Sequence, residues 1–457
     1  MWTIQYLLSI SSFLLGIFLI SQVLRQRRAP GSTLAWLLTI ILVPHIGIPL
    51  YIFLGFRKIR SPQWEKRAVY APVPYPLTPS AVTSSERLLL ASGVPNPSSG
   101  NQLAFLDTGE TAFKVLMELI RGARKQIHIT TFILKLDPVG KEIMAALEAK
   151  ARSGVQVRLL LDGFGSFWTL KFRLKSFIRA GGRMSFFLPI IHIPFFGHSN
   201  LRNHRKLVLV DGRDGILGGM NLAREYMGSD HYRQRWVDLS VHVCGPGVQD
   251  LEALFIEDWE FAAKEKLPPR TDIPLDLPGS ETVQVVASGP DVPGDPLYDS
   301  IASAIFAAKT RVWIATPYFI PDETLSKALE IAAKKGVDVK IILPKRSNHP
   351  LTDLCRGSYL RQVERAGGHI FYFPDKMMHG KAIIIDDLFA IVGSANFDMR
   401  SLLLNYELGL FLYSADSLIK ISHWFEALRK RCVQEPLQQG WYSDFVEGIG
   451  RILGPML

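Results

Sequence analysis

Two long uncharged stretches open the chain. Residues 2–24 and 29–56 contain no Asp, Glu, Lys or Arg. As a helix rising about 1.5 Å per residue, each is long enough to cross a hydrocarbon layer of about 30 Å. The pattern therefore predicts an α-helical membrane hairpin over residues 1–60, with Pro44 and Pro49 kinking the second helix. A cleaved signal peptide is the alternative for the first stretch, and a buried soluble hairpin is the alternative for both.

Basic residues around the hairpin bear on its orientation. Three arginines lie in the short loop between the two stretches, and five Lys or Arg residues follow the second stretch up to residue 67. The excess favours a cytoplasmic location for the larger part of the chain. A second stretch that re-enters the bilayer instead of crossing it would reverse the placement of the loop.

The pattern changes after the hairpin. Residues 61–100 are rich in Pro and Ser, which indicates a tether with one short helix at 87–91. Apolar periodicity then alternates between helical and strand spacing, and the same series returns in the second half of the chain. The predicted elements are helix 111–124, strand 126–134, helix 141–154, strand 155–162, helix 297–308, strand 311–320, helix 324–336 and strand 337–343.

This repetition predicts an α/β fold of two pseudosymmetric halves. Strands that alternate with helices form sheets covered by helices, so we expect a mixed, mostly parallel sheet in each half. A proline-rich connector over residues 266–282 separates the halves. The predicted domains after the tether are residues 101–270 and 271–457.

A five-residue constellation occurs once in each half with the same spacing. His204, Lys206, Asp211, Gly218 and Asn221 stand at offsets 0, 2, 7, 14 and 17, and the second half repeats these offsets with His379, Lys381, Asp386, Gly393 and Asn396. Five coinciding offsets in two places indicate a single active site to which both halves contribute.

The residue types indicate phosphodiester chemistry. In the predicted strands 204–211 and 379–386, each His and Lys share one face. The Asp, at an odd offset, falls on the other face, where we expect it to anchor the turn at the strand end. Two Lys and two Asn side chains can stabilise a pentacovalent phosphorane, while one imidazole attacks phosphorus and the other transfers protons. Lysine is a poor metal ligand, so no metal site is predicted.

Composition leaves the partner open. Lys and Arg outnumber Asp and Glu by 52 to 42, a net charge of +10 that suits an anionic partner such as a membrane surface or a nucleic acid. No basic groove with interleaved aromatic residues is evident, which disfavours a nucleic acid. The three cysteines are far apart and predict neither a disulfide framework nor a zinc site.

The paired motif resembles the phospholipase D superfamily, and several stretches are similar to bacterial cardiolipin synthases. These stretches are the second hydrophobic segment, RNHRKLVLVDG, YMGSDHYRQRWVD, MMHGKAIIIDDLFAIVGSANFDMRSLLLNYEL and GRILGPML. The resemblance implies a membrane enzyme of bacteria that needs no cofactor and makes cardiolipin and glycerol from two phosphatidylglycerol molecules. A membrane-bound phospholipase D that hydrolyses or transphosphatidylates other phospholipids is the alternative, and the oligomeric state stays open.

The resemblance also implies roles for individual residues. Asp211 and Asp386 belong to the family's catalytic motif, and Asp238 and Glu407 match carboxylates that orient the histidines. Ser394 of the second motif is replaced in the first motif by Gly219, so one hydroxyl contact is absent there. By analogy, His204 is assigned as the nucleophile and His379 as the general acid and base. An apolar stretch at 186–197 and the segment 444–457 are candidates for contact with lipid.

Overall fold

The computed structural model describes residues 2–25, 30–54, 66–71, 83–166, 174–188, 201–267 and 277–435. The chain divides into two compact units. One contains residues 1–61 together with 189–201, and the other contains residues 62–188 and 202–457. Most of the stretch 186–197 and all of 444–457, both proposed to contact lipid, lie outside the described residues.

The N-terminal unit is helical. Its helices are Trp2–Arg25, Pro30–Leu42 and Pro44–Leu54. The second apolar stretch is thus two short helices instead of one kinked helix, because Pro44 has no N–H to continue the ladder and its ring collides with the preceding turn. Gly47 lets the two helices approach closely, since a Cβ there would lie 2.3 Å from the carbonyl oxygen of Thr39. Among the described residues, no helix has both the length and the apolar content needed to cross a membrane.

The larger unit has an α/β architecture. Its strands are β1 Ser98–Leu106, β2 Gln126–Thr131, β3 Gln156–Asp162, β4 Arg183–Phe187, β5 Leu207–Val210, β6 Asp214–Gly218, β7 Ser240–Cys244, β8 Glu281–Ser288, β9 Arg311–Ala315, β10 Phe319–Ile320, β11 Asp338–Pro344, β12 His369–Phe373, β13 Ala382–Ile385, β14 Phe389–Gly393, β15 Phe397–Asp398 and β16 Glu407–Leu412. Its helices are Ser84–Ala91, Gly109–Gly122, Pro138–Arg152, Lys175–Arg179, Gly247–Ala263, Pro296–Ala307, Glu323–Lys334, Pro350–Cys355, Gly357–Arg365, Met399–Leu403 and Ala415–Arg429.

In the described part of the chain, one continuous sheet of 14 strands runs through both halves. Its order is β12-β11-β9-β13-β14-β16-β8-β1-β7-β6-β5-β2-β3-β4. Seven strands begin with β8 in one direction and seven begin with β1 in the other, and both series follow the same order outward, which shows the predicted pseudosymmetry. The two halves meet where β1 and β8 pair antiparallel, with Ser98 opposite Val283. We refer below to the β1–β7 side as the first half and to the β8–β16 side as the second half.

The sheet is mixed, but the prediction that it is mostly parallel is wrong. Of the pairings in the described sheet, four are parallel: β2–β3, β3–β4, β9–β11 and β11–β12. The others are antiparallel, including the tight hairpins β5–β6 and β13–β14 that follow the two motifs. Of the parallel strands, β2, β3, β9 and β11 were predicted from the sequence, whereas β4 and β12 were not. β6 and β14 each follow a turn of three residues, which is too short for the crossover that a parallel neighbour requires.

The predicted helices and strands of each half are confirmed with shifted ends. Strand 126–134 ends at Thr131, and strand 311–320 is divided into β9 and β10. The motif strands are shorter than predicted, because β5 and β13 begin three residues after His204 and His379. Helices 109–122 and 138–152 pack on the first half through Phe113, Leu116 and Leu147, which are at most 3% exposed. These side chains form one apolar core with residues of the sheet, including Ile129 and Val208.

Candidate active site

Each motif histidine is attached to the opposite half by backbone hydrogen bonds. The N–H of His204 donates to the carbonyl of Tyr406 at 2.9 Å, and the N–H of Tyr406 donates to the carbonyl of Arg202 at 2.9 Å. The second motif repeats the arrangement, with the N–H of His379 donating to the carbonyl of Val237 at 2.6 Å. These short parallel bridges place each histidine next to the carboxylate that follows Tyr406 or Val237 in the chain.

The orienting carboxylates are exchanged between the halves. Glu407 of the second half accepts from Nδ1 of His204, with Oε1 at 2.9 Å and Oε2 at 3.1 Å. Asp238 of the first half accepts from Nδ1 of His379, with Oδ2 at 2.7 Å. A carboxylate on Nδ1 sets the tautomer and leaves Nε2 as the nitrogen that can meet a substrate. Sequence reasoning selected both carboxylates, and the structure shows which histidine each one serves.

Ser394 and Gly219 support the two carboxylates in different ways. The Ser394 hydroxyl donates to Oε2 of Glu407 and accepts the N–H of Leu408 at 3.0 Å. In the first half, Oδ1 of Asp238 itself accepts the equivalent N–H, that of Leu239, at 2.7 Å. A Cβ at Gly219 would lie only 2.1 Å from this oxygen. The shorter Asp therefore occupies the space of the missing hydroxyl, and glycine is what leaves that space open.

Both motif lysines are buried and fold back on their own histidine. Lys206 Nζ donates to the carbonyl of His204 at 2.7 Å, and Lys381 Nζ donates to the carbonyl of His379 at 2.6 Å. Lys381 Nζ also lies 2.9 Å from Nδ1 and 3.2 Å from Nε2 of His379. Burial lowers the pKa of Lys206 to about 7 and that of Lys381 to about 8. A bound phosphodiester would bring the negative charge that favours both ammonium groups.

Burial also keeps the histidines neutral. It lowers the pKa of His204 to about 4, with the Lys206 and Lys381 ammoniums acting in the same direction against Glu407. The pKa of His379 is well below its usual value, first because of burial and then because of Lys381 and Lys206. Burial raises the pKa of Asp238 to about 7 in spite of Lys381. Each half thus influences the charges of the other, which makes the two motifs one electrostatic site.

The two motif aspartates lie at the strand ends, away from the histidines. Asp211 accepts the backbone N–H groups of Arg124, Lys125 and Gln126 at 2.7–2.8 Å. Asp386 accepts those of Lys309, Thr310 and Arg311. Both aspartates have left-handed backbone angles, with φ of 54° and 48°. They tie the turn after each motif strand to the start of the neighbouring strand, which is the anchoring role at the strand end that we expected for them.

The motif asparagines hold neighbouring segments. Oδ1 of Asn221 accepts the N–H of Ile133 at 3.1 Å. Nδ2 of Asn396 donates to the Ser401 hydroxyl at 3.0 Å, and both asparagines are buried. These contacts connect each asparagine to the protein, so a direct contact with a phosphoryl oxygen stays a prediction.

Aromatic rings surround His379, and sequence reasoning missed them. The ring centroids of Tyr226, Trp236 and Tyr318 lie 5.3, 5.2 and 6.4 Å from that of His379. Among the described residues, His204 has one such neighbour, Phe132, at 5.1 Å. Trp236 precedes Asp238 by two residues in RWVD, and this proximity was the available signal. Within the described ranges, no group of three or more His, Cys, Asp or Glu side chains could share a metal ion.

Comparison with known proteins identifies the family. A family model described as "Cardiolipin synthase, PLD-like domain" matches residues 116–259 and 301–429. Each match contains one motif and its downstream carboxylate. The chain belongs to the cardiolipin synthase family of phospholipase D-like proteins. A second model, "Phospholipase_D-nuclease N-terminal", matches residues 14–55.

Relatives in this family align over almost the whole chain. The chain is 32% identical to the cardiolipin synthase of Geobacillus kaustophilus, an alignment that covers 96% of this chain and 92% of the relative. It is also 32% identical to the major cardiolipin synthase ClsA of Bacillus subtilis, over 98% of this chain and 100% of that protein. A crystal structure of phosphatidylserine synthase from Haemophilus influenzae has the same fold, with a TM-score of 0.63, 18% identity and coverage of 82% of this chain and 100% of that chain.

Proposed function

We propose that the chain is a cardiolipin synthase that transfers a phosphatidyl group between two phosphatidylglycerol molecules through a phosphatidyl-histidine. The observation that carries the proposal is the exchange of carboxylates, in which Glu407 holds Nδ1 of His204 and Asp238 holds Nδ1 of His379. Nε2 of each histidine is then the nitrogen that would meet one shared phosphodiester, and Lys381 Nζ lies 3.2 Å from Nε2 of His379. A nucleophile and a proton carrier, each oriented by a carboxylate, are what a two-step displacement needs.

In the first step, Nε2 of His204 attacks the phosphorus of one phosphatidylglycerol. The bond from phosphorus to the glycerol headgroup oxygen breaks, and His379, which the bound anionic phosphodiester keeps protonated on both nitrogens, gives its Nε2 proton to the departing alkoxide. Lys206 and Lys381 stabilise the negative charge of the phosphorane. Glycerol leaves, and the phosphatidyl group remains on His204.

In the second step, the terminal hydroxyl of a second phosphatidylglycerol attacks the phosphatidyl-histidine. His379 takes the proton of this hydroxyl, the phosphorus–nitrogen bond breaks, and cardiolipin forms. His204 returns to its neutral form with Glu407 on Nδ1. No cofactor enters either step.

The surroundings of the two histidines support this assignment of roles. Asp238, with a pKa raised to about 7 by burial, can exchange a proton with His379 near neutral pH. This property suits the acid and base. The Ser394 hydroxyl and the Leu408 amide hold Glu407 and its neighbouring chain firmly, which suits a nucleophile that must keep one orientation.

Transfer to an alcohol is favoured over hydrolysis by the aromatic rings around His379. Tyr226, Trp236 and Tyr318 enclose the imidazole that would deprotonate the acceptor. Apolar walls at this point reduce the access of water and can pack against the glycerol carbons of the acceptor. Membrane-bound phospholipase D activity on other phospholipids is the competing outcome.

We also propose a location at the cell membrane of a bacterium, as a multi-pass protein with its catalytic domains in the cytoplasm. The uncharged stretches 2–24 and 29–56, and the basic residues that follow them, support this proposal. A substrate with two acyl chains requires an active site close to a bilayer. The proposed domains are residues 1–60, 61–100, 101–270 and 271–457.

One experiment tests the reaction. The detergent-solubilised protein receives phosphatidylglycerol labelled in the headgroup and the acyl chains, without added metal, and mass spectrometry resolves the products. We expect labelled cardiolipin and free glycerol, both lost in His204→Ala and in His379→Ala. Phosphatidic acid as the sole product would show that the reaction is hydrolysis and not transfer. Turnover in either alanine variant would contradict the assignment of these two histidines to the active site.

A further inference from the structure

Four buried charges form a cluster next to His204. Lys66, Arg205, Asp258 and Asp291 each have a side chain no more than 3% exposed. Two cations and two carboxylates balance one another. Because a buried charge without a partner is strongly destabilising, each member of the cluster depends on the others.

Lys66 is the member that satisfies Asp291. Its Nζ atom lies 2.5 Å from Oδ1 of Asp258 and also contacts Oδ2 of Asp291. Arg205 is bound closely to Asp258, with Nη1 at 2.6 Å, but its Nη2 is 3.8 Å from Oδ1 of Asp291. The close ionic contact of Asp291 in the cluster is therefore with Lys66, and that of Arg205 is with Asp258.

Arg205 connects this cluster to the catalytic pair. It follows His204 directly in the chain, and its Nε donates to the backbone carbonyl of Glu407 at 3.1 Å. The side chain of Glu407 holds Nδ1 of His204. Arg205 is thus joined to His204 through the chain and to the backbone of Glu407 through its guanidinium. The second motif has Gly380 at the matching position, so this device belongs to the first half alone.

We propose that Lys66 is a positioning residue for the His204–Glu407 pair. By neutralising Asp291, it keeps the Arg205 guanidinium on Asp258 and on the carbonyl of Glu407. Without the ammonium group, the buried Asp291 carboxylate would keep only its loose contact of 3.8 Å with Arg205, the remaining cation of the cluster. Arg205 would turn toward Asp291 and release Glu407. The inference rests on the proposed function, because it concerns the orientation of the nucleophile.

This mechanism predicts that a second substitution restores the activity lost in the first. If competition for Arg205 is what disturbs the site, removing Asp291 together with Lys66 removes the competitor. The double variant Lys66→Met/Asp291→Asn should then recover, although it has lost more contacts than either single variant. If Lys66 only attaches the segment 66–71 to the rest of the protein, the double variant should not regain activity.

The test compares four full-length variants: Lys66→Met, Asp291→Asn, the double variant and the control Arg67→Met. Arg67 is the exposed neighbour of Lys66 in the chain. We measure kcat and KM for phosphatidylglycerol in detergent at a temperature where melting curves show every variant folded. Lys66→Met should lower kcat at least ten-fold with KM changed less than two-fold. The kcat of the double variant should return to within three-fold of the parent value. The kcat of Arg67→Met should equal that of the parent. An unchanged kcat in Lys66→Met, or a double variant as slow as the single one, would overturn the proposal.

A second readout does not depend on turnover. The downfield proton of the hydrogen bond between His204 Nδ1 and Glu407 is followed by NMR with labelled histidine and assigned by its absence in His204→Ala. The signal should be lost in Lys66→Met and restored in the double variant. If the parent protein fails to convert phosphatidylglycerol, the proposed function is wrong, and persistence of this proton in Lys66→Met would separately refute the role of Lys66.

Discussion

Glu407 belongs to the second half of the sheet, yet its carboxylate binds the histidine of the first half, with Oε1 2.9 Å from Nδ1 of His204. Asp238 makes the reciprocal contact with His379 at 2.7 Å. Neither half can orient its own histidine. The site therefore requires both halves, and its activity should fall when either carboxylate is replaced.

Replacing Glu407 by Gln tests this dependence. The amide can still contact Nδ1, but it cannot stabilise the positive imidazole ring that forms when His204 attacks phosphorus. We expect kcat to fall on the order of 10²–10⁴-fold, the range typical of a positioned acid–base group. Steady-state kinetics on phosphatidylglycerol measure the effect. Glu435→Gln, which removes the partner of exposed Lys345, is the control and should leave kcat unchanged.

The difference between Ser394 and Gly219 leads to a second prediction. Gly219→Ser places a Cβ within 2.1 Å of Oδ1 of Asp238 and should displace the carboxylate from His379, with at least a ten-fold loss of kcat. The double variant Gly219→Ser/Asp238→Glu reproduces the arrangement of the second half and should regain part of this activity. Equal kcat in the single and double variants would show that the two positions are not coupled.

The roles of the histidines can be separated by trapping the intermediate. Without the acid and base, His204 can still attack a substrate with a good leaving group, but no residue activates the acceptor. His379→Asn should therefore accumulate the phosphatidyl-enzyme, whereas His204→Asn should trap none. Intact-protein mass spectrometry after rapid acid quenching detects the adduct. The opposite pattern would exchange the two roles.

Asp386 provides a pH-dependent prediction about stability. Burial raises the pKa of this carboxyl group, but the N–H groups of Arg311, Thr310 and Lys309 outweigh burial and lower it below its usual value of 3.8. A lowered carboxylate pKa stabilises the folded state above the unfolded pKa, and this contribution is lost as pH falls through the folded pKa. Asp386→Asn should cost about 2 kcal/mol near pH 7, as expected for hydrogen bonds to a charged acceptor.

The measurement is chemical denaturation at several pH values. The difference in unfolding free energy between the parent protein and Asp386→Asn should shrink below pH 4, where the carboxylate becomes protonated. The neighbouring Asp387, whose side chain is 89% exposed, supplies the control Asp387→Asn with little effect at any pH. If the difference in unfolding free energy does not vary with pH, the charge of Asp386 does not account for its contribution to stability.

The sequence by itself determined the repeat, the reaction class and the helix–strand alternation. The offsets of His204 and His379 to Lys, Asp and Asn repeat in both halves, and the spacing of apolar residues indicates local structure because it follows the geometry of single elements. The position of Asp211 and Asp386 at strand ends was predictable for the same reason.

Only the tertiary structure decided which groups meet across the halves. The antiparallel joining of β1 and β8, the exchange of Glu407 and Asp238, and the contact of Lys66 with Asp291 connect residues far apart in the chain. The exchanged carboxylates and the Lys66–Asp291 contact involve single side chains, which form no periodic pattern in the sequence. Pairing between distant strands depends on the register and order of the whole sheet, and local periodicity specifies neither.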